Sequence, residues 1–248
     1  FFVSNRTGSV VDTEARFRTD GSHPEAWDTV STASHTLPEL RKENGTVTLP
    51  VRLEAWQSAL IVFDRSAKPE ARSVSETAAN EDVLSIGDQG WEVRFDPALG
   101  GPSAPLRVER LAAWNEHPDP PVRYYSGEAV YKTSFDLPAS NKYPAAEIDL
   151  GVVHKMARVK LNGTELGIAW THPYRLDTRG ALKPGRNEIE ITAVNTWVNR
   201  LIGDQQPADK AARTLQWTNG LLGGKPYPAG RHTFTTVSDY KAGSPLQE

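Results

Sequence analysis

Three stretches of the chain carry the residue types that recognition chemistry would need: Ala169-Trp170-Thr171-His172-Pro173-Tyr174-Arg175, Asn195-Thr196-Trp197-Val198-Asn199-Arg200-Leu201-Ile202-Gly203-Asp204, and Gln216-Trp217-Thr218-Asn219. Each sets an indole beside amides and charges in a segment that reads as a loop. A sugar ring has an apolar C–H face and an equatorial fringe of hydroxyls. Its receptor therefore needs a flat aromatic platform with planar amide, carboxylate and guanidinium groups at the rim. Aromatic walls with a few placed polar groups suit ligand sites in general, so the inference to carbohydrate is one of class. The expected contacts are Trp170, Tyr174, Trp197 and Trp217 as aromatic surfaces and Asn195, Asn199 and Asp204 as hydroxyl partners. Arg200 would pair with a uronate carboxylate. The competing reading has the indoles plugging the end of a sandwich while Asn, Arg and Asp hold loops by side-chain to backbone bonds.

Other chemistries find little footing. H-E-x-x-H, G-x-S-x-G and paired cysteines are all absent from the sequence. The run from Gly220 to Pro226 fails as a phosphate loop, because Asn219 stands where the first glycine belongs and Pro226 where a magnesium-binding Ser or Thr is needed. His23, His35, His117, His154, His172 and His232 are scattered without metal-ligand spacing, so no transition metal is expected. Glu188 and Glu190, or Glu147 and Asp149, share a strand face at i, i+2. A chain with 31 acidic residues offers such pairs by chance, and a solvated strand face explains them, so no catalytic carboxylate is assigned. A net charge of −3 and a pI near 6.1 give no pull toward phosphate backbones, and no basic stripe is present, so nucleic acid is not an expected partner. Mean hydropathy is −0.51, and no apolar run approaches the ~20 residues that a membrane-spanning helix requires. With no cysteine there is neither a disulfide framework nor a thiolate metal site.

The elements that must position these residues are strands. The 248 residues, 38% apolar and 24% charged, suffice for one large or two modest cores. Val11, Thr13, Ala15 and Phe17 alternate with charged residues, and Val47, Leu49, Val51 and Leu53 repeat the pattern after the turn signal Asn44-Gly45. Ser58–Phe63 (SALIVF) reads as a strand buried on both faces. Residues 1–64 thus form a small antiparallel β-sandwich, and residues 65–84, charged and poor in aromatics, read as a linker. From residue 85 to 248, strands recur at roughly 8–12 residue spacing between Pro and Gly clusters, the pattern of a β-sandwich or jelly roll. Leu161-Asn162-Gly163-Thr164 marks a hairpin, since both central residues of its turn need φ > 0. A (β/α)₈ barrel, which needs about 250 residues by itself, does not fit. Opening on Phe1-Phe2-Val3 without Met, the chain reads as a piece cut from a longer polypeptide.

Residues 149–204 resemble the sugar-binding-type jelly roll of glycoside hydrolase family 2, a galactose-binding-like domain. The resemblance rests on Val159-Lys160-Leu161-Asn162-Gly163, Leu182-Lys183-Pro184-Gly185-Arg186-Asn187 and the closing Val194-Asn195, with Gly90–Asp96 and Tyr131–Pro138 matching its first strands. Asn195-Thr196-Trp197-Val198-Asn199-Arg200-Leu201-Ile202-Gly203-Asp204, followed by Trp217-Thr218-Asn219 and Tyr227-Pro228, narrows the likeness to the C-terminal region of bacterial α-L-rhamnosidases of glycoside hydrolase family 106. Phe1–Gly8, Glu25–Asp28 and the strand ending at Phe63 look like the small sandwich that follows the barrel in that family. The resemblance implies an accessory, non-catalytic region of an enzyme that removes rhamnose from plant or algal polysaccharide, in the extracellular or periplasmic space. Its partners would be an oligo- or polysaccharide and the catalytic barrel of the parent chain, which would hold the catalytic carboxylates and metal. The alternative is a structural module that buttresses the barrel and has no ligand of its own. No cofactor is expected. Domains of this kind often hold a structural Ca²⁺, for which Asp96, Asp136 and Asp204 are the candidate donors, although no loop has a recognisable calcium spacing.

Overall fold

A computed structural model of the protein describes residues 1–30, 34–64, 83–87, 90–138, 146–207 and 240–247. The chain divides into two compact units, Phe1–Ser85 with Thr171–Arg175, and Ile86–Trp170 with Leu176–Glu248. The fold is all-β and sandwich-like, as the strand spacing predicts.

The first unit contains β1 (Phe2–Ser4), β2 (Val11–Arg18), β3 (Ser22–Asp28), β4 (Ser34–Thr36), β5 (Arg41–Glu43), β6 (Thr46–Leu53) and β7 (Ser58–Asp64). They make two sheets, ordered β1-β7-β3-β4 and β2-β6-β5. Asn44 (φ 47°) and Gly45 (φ 69°) form the tight turn between β5 and β6, where Glu43 pairs with Thr46. Antiparallel pairing of β2 with β6 aligns Phe17 with Val47 and Ala15 with Leu49, and this row meets Ala59 and Ile61 of β7 in the core. Val47 and Leu49 are fully buried. The expectation that Ser58–Phe63 is covered on both faces is corrected: Ala59 and Ile61 point inward, but Leu60 is 40% exposed. Leu60 stands in register with Phe2 on one side and Trp27 on the other, both also exposed, so this sheet is covered on one face only.

The second unit contains β8 (Trp91–Phe95), β9 (Leu106–Val108), the short helix α1 (Pro120–Arg123), β10 (Glu128–Leu137), β11 (Glu147–Asp149), β12 (Met156–Leu161), β13 (Thr164–Ala169), the end of β14 (Arg175–Asp177), β15 (Gly185–Val194) and helix α2 (Val198–Asp204). Six of the strands form one sheet in the order β13-β12-β15-β10-β8-β9, and β11 pairs with β14. The Asn162-Gly163 hairpin is present, with φ of 51° and 83° and Leu161 opposite Thr164. The inner face buries Trp91, Val159, Leu161, Leu166 and Ile189 with Ile148 of β11. A second cluster joins Val93, Phe95, Val122, Tyr125 and Ala129.

On the outer face, register sets Glu165 opposite Lys160, Lys160 opposite Glu190, Glu190 opposite Lys132, Lys132 opposite Glu92, and Glu92 opposite Arg107. Charge alternates along this row across the whole sheet. Opposite charges directly across strands attract, and such a row favours a face left in water. Asn195–Asp204, expected as loop, contains α2. The linker expected at 65–84 lies mostly outside the described residues, and Trp217 lies wholly outside them.

Candidate functional site

The register defines where the candidate residues gather. Phe95 pairs with Ala129, Ala129 with Ala193, Ala193 with Ala157, and Ala157 with Ala169. The end of β8, the start of β10, the end of β15, the start of β12 and the end of β13 therefore share one end of the six-stranded sheet. The segments that leave those strands meet there: residues 96–101, 124–127, 150–155 and 195–204, together with Trp170.

Internal hydrogen bonds hold this end together. Tyr125 is buried, and its hydroxyl accepts from the Asp96 N–H (3.1 Å) and donates to the Glu128 carbonyl (2.9 Å). Desolvation by burial pushes its phenol above the usual value, which keeps the donor proton in place. Phe95, Trp114 and Tyr125 pack edge to face with centroids 4.9–5.6 Å apart. At Gly127 (φ 147°) a Cβ would lie 2.7 Å from Leu99 Cδ1, so the turn into β10 admits only glycine.

Most of the predicted polar rim is spent on this scaffold. Asn195 donates from Nδ2 to the Tyr125 carbonyl (2.8 Å) and accepts at Oδ1 from the Gly127 N–H (3.0 Å). Asn199, 3% exposed, clamps Gln247 by donating to its carbonyl and accepting from its N–H. Arg200, 4% exposed, donates to the Leu99 carbonyl and lies 3.6 Å from Asp204, which is equally buried. In this structure Asn199, Arg200 and Asp204 lie on α2 and are buried, and the Asn195 amide is hydrogen-bonded to backbone. Tyr174 is also buried. It groups with the first unit, its ring 4.4 Å from that of His172, which in turn lies 6.5 Å from Trp56.

The aromatic part of the expectation has a different outcome. Trp170 is 57% exposed and Trp197 52%. Trp170 follows β13 and Trp197 caps α2 after β15, with β12 between them. Trp170 thus follows directly on β13 and Trp197 lies three residues beyond β15, strands that are two spacings apart, about 10 Å. Met156, Ile168 and Val152 are exposed at this end as well. The apolar side chains beside the indoles were not singled out in the sequence, although alternation along β12 and β13 carries the signal: Ala157 and Ala169 are buried, so Met156, Ile168 and Trp170 share the outer face.

The three candidate calcium donors do not converge. Asp96 accepts from the Ala98 N–H, Asp136 pairs with Arg186 at the opposite end of the sheet, and Asp204 lies beside Arg200. Among the described residues no group of three His, Asp or Glu side chains is arranged to hold a metal. A separate cleft of about 200 Å³ opens along β8 and β9, lined by Val93, Leu106, Arg110, Trp114, His117 and Tyr131. Within it the Trp114 indole N–H donates to the Tyr131 hydroxyl, and burial raises the pKa of that phenol.

No family model matches the chain. It is 35% identical over 153 residues to a protein of Formosa agariphila named "Putative beta-glucuronidase", a match that covers 58% of the chain and 13% of that protein. Among solved structures it is similar to a rhamnosidase from Novosphingobium sp. PP1Y, with a TM-score of 0.76 and 32% identity over 99% of the chain and 21% of the rhamnosidase. Over nearly all of its length the chain is therefore glycoside-hydrolase-like, and it spans about a fifth or less of the proteins it matches.

Proposed function

We propose that the chain is a non-catalytic carbohydrate-binding accessory region of a rhamnosidase-like glycoside hydrolase. In this reading it belongs to the C-terminal region of a family 106 α-L-rhamnosidase and works beside the catalytic barrel of its parent. The parent enzyme acts on plant or algal polysaccharide outside the cytoplasm. The observation that carries the reading is the exposure of Trp170 and Trp197 at one end of one sheet, since an indole left in water beside Met156 and Ile168 is a ready platform for a sugar C–H face. The likeness to a rhamnosidase over 99% of the chain supports the choice of ligand class. Binding through two platforms buries little area, so affinities of roughly micromolar to millimolar are expected.

Isothermal titration of rhamnose-containing oligosaccharides tests this. Wild type should release measurable heat, and Trp197→Ala or Trp170→Ala should weaken binding at least several-fold. Negligible heat in all three proteins would discard the reading. A purely structural module is the second reading, and a specific observation favours it: Asn195, Asn199 and Arg200 direct their hydrogen bonds to the chain's own backbone.

A further inference from the structure

The outer face of the six-stranded sheet treats its cations unequally. Glu190 holds Lys132 at 2.6 Å and Lys160 at 3.4 Å, and Arg94 pairs with Glu92 at 2.8 Å. Arg158, exposed on the same face, makes no hydrogen bond or ion pair among the described residues. Its Cα partners are Ile168 on β13 and Thr192 on β15. Toward the site end, Met156 stands opposite Val194, and Trp170 follows directly on Ala169, the partner of Ala157. The guanidinium thus rises from a surround of Ile168, Met156, Val194 and Trp170. The carboxylates diagonal to it on this face are Glu190, already held by two lysines, and Glu165, which stands opposite Lys160.

From this juxtaposition we infer that Arg158 and Trp170 form a subsite for an acidic sugar, a pyranose bearing a carboxylate at C5. The inference rests on the carbohydrate-binding reading and names the class of ring it takes. Trp170 lies two residues beyond Ile168, the cross-strand partner of Arg158, and residues in that diagonal relation on paired strands are ~7–8 Å apart, a distance that long and aromatic side chains bridge. A uronate ring lying on the indole projects its carboxylate sideways, in the plane of the ring, toward a guanidinium beside the platform. The arginine fork takes both carboxylate oxygens, which an ammonium cannot match. Apolar neighbours on either side exclude part of the water that weakens exposed ion pairs. The uronate partner expected of Arg200 thereby passes to a residue that solvent reaches.

The test is titration of the chain with a tetrasaccharide of alternating rhamnose and glucuronate, and with the same tetrasaccharide after reduction of its carboxylates to alcohols. Wild type should bind the acidic form on the order of tenfold more tightly, and the margin should shrink as salt is raised. Arg158→Ala should erase the margin while leaving affinity for the reduced form unchanged, and Arg158→Lys should restore only part of it. A wild type that binds both forms equally, or a margin that survives Arg158→Ala, overturns the subsite and leaves the carbohydrate reading intact. Failure of both forms to bind wild type overturns the subsite and the carbohydrate reading together.

Discussion

Asn187 is fully buried, and its carboxamide joins two turns through one side chain. It donates to the carbonyls of Lys183 (2.8 Å) and Gly185 (2.9 Å) and accepts from the Lys183 N–H (3.0 Å) and from Asn162 Nδ2 (2.7 Å). Asn162 in turn accepts from the Glu188 N–H and donates to the Ala181 carbonyl. The Leu182–Asn187 and Leu161–Gly163 motifs are therefore one staple between two turns, and their chemistry is structural. Asn187→Ala should cost about 2–3 kcal/mol, because it strands buried backbone groups. Urea unfolding of the variant measures this, and a cost below about 0.5 kcal/mol would contradict the assignment. The same logic explains why the rim was only half legible. Asn195, Asn199 and Arg200 have the same letters whether they face a sugar or a carbonyl. Trp170 and Trp197 stay largely exposed.

At the scale of elements, strands and hairpins were readable because period-two alternation and Asn-Gly turns are local signals. Helix α2 was not. Its Val198, Leu201 and Ile202 do follow helical spacing, but seven residues hold barely two turns, and the N-cap residue, Trp197, gives no side-chain cap. The burial of Ser58–Phe63 was misjudged because an apolar run has no visible period. The charge row needs register, which no single strand contains. Its centre makes a prediction: hydrogen bonding and charge from Lys132, with help from Lys160, hold the Glu190 carboxyl below its ordinary value of 4.5. A depressed carboxyl stabilises the fold above its unfolded pKa, and that contribution is lost as pH falls through the lower folded value. Glu190→Gln should therefore lower stability near neutral pH by less than about 1 kcal/mol, since the lysines are half exposed, and the deficit should shrink at acid pH. Thermal melts at both pH values check the sign, and an equal deficit at both would refute it.

In the whole molecule, each unit carries a core of its own, the first built on Val47, Leu49 and Ile61, the second on Val159, Leu161 and Ile189. The proposed saccharide surface uses only the second. Leu49→Ala should cost about 2–5 kcal/mol in the first core, yet oligosaccharide titrations at low temperature should match wild type; lost binding would mean the surface depends on more than the second unit. The central claim is that saccharide settles on the indoles at 170 and 197. Indole N–H resonances of the ¹⁵N-labelled chain, assigned by Trp→Phe replacement, report on each ring during titration with a rhamnose-containing oligosaccharide. The account predicts that Trp170 and Trp197 shift while Trp91 and Trp114, buried or half-buried with their N–H groups bound to Gly87 and Tyr131, stay in place. Shifts confined to other tryptophans, or none at saturating sugar, would contradict it.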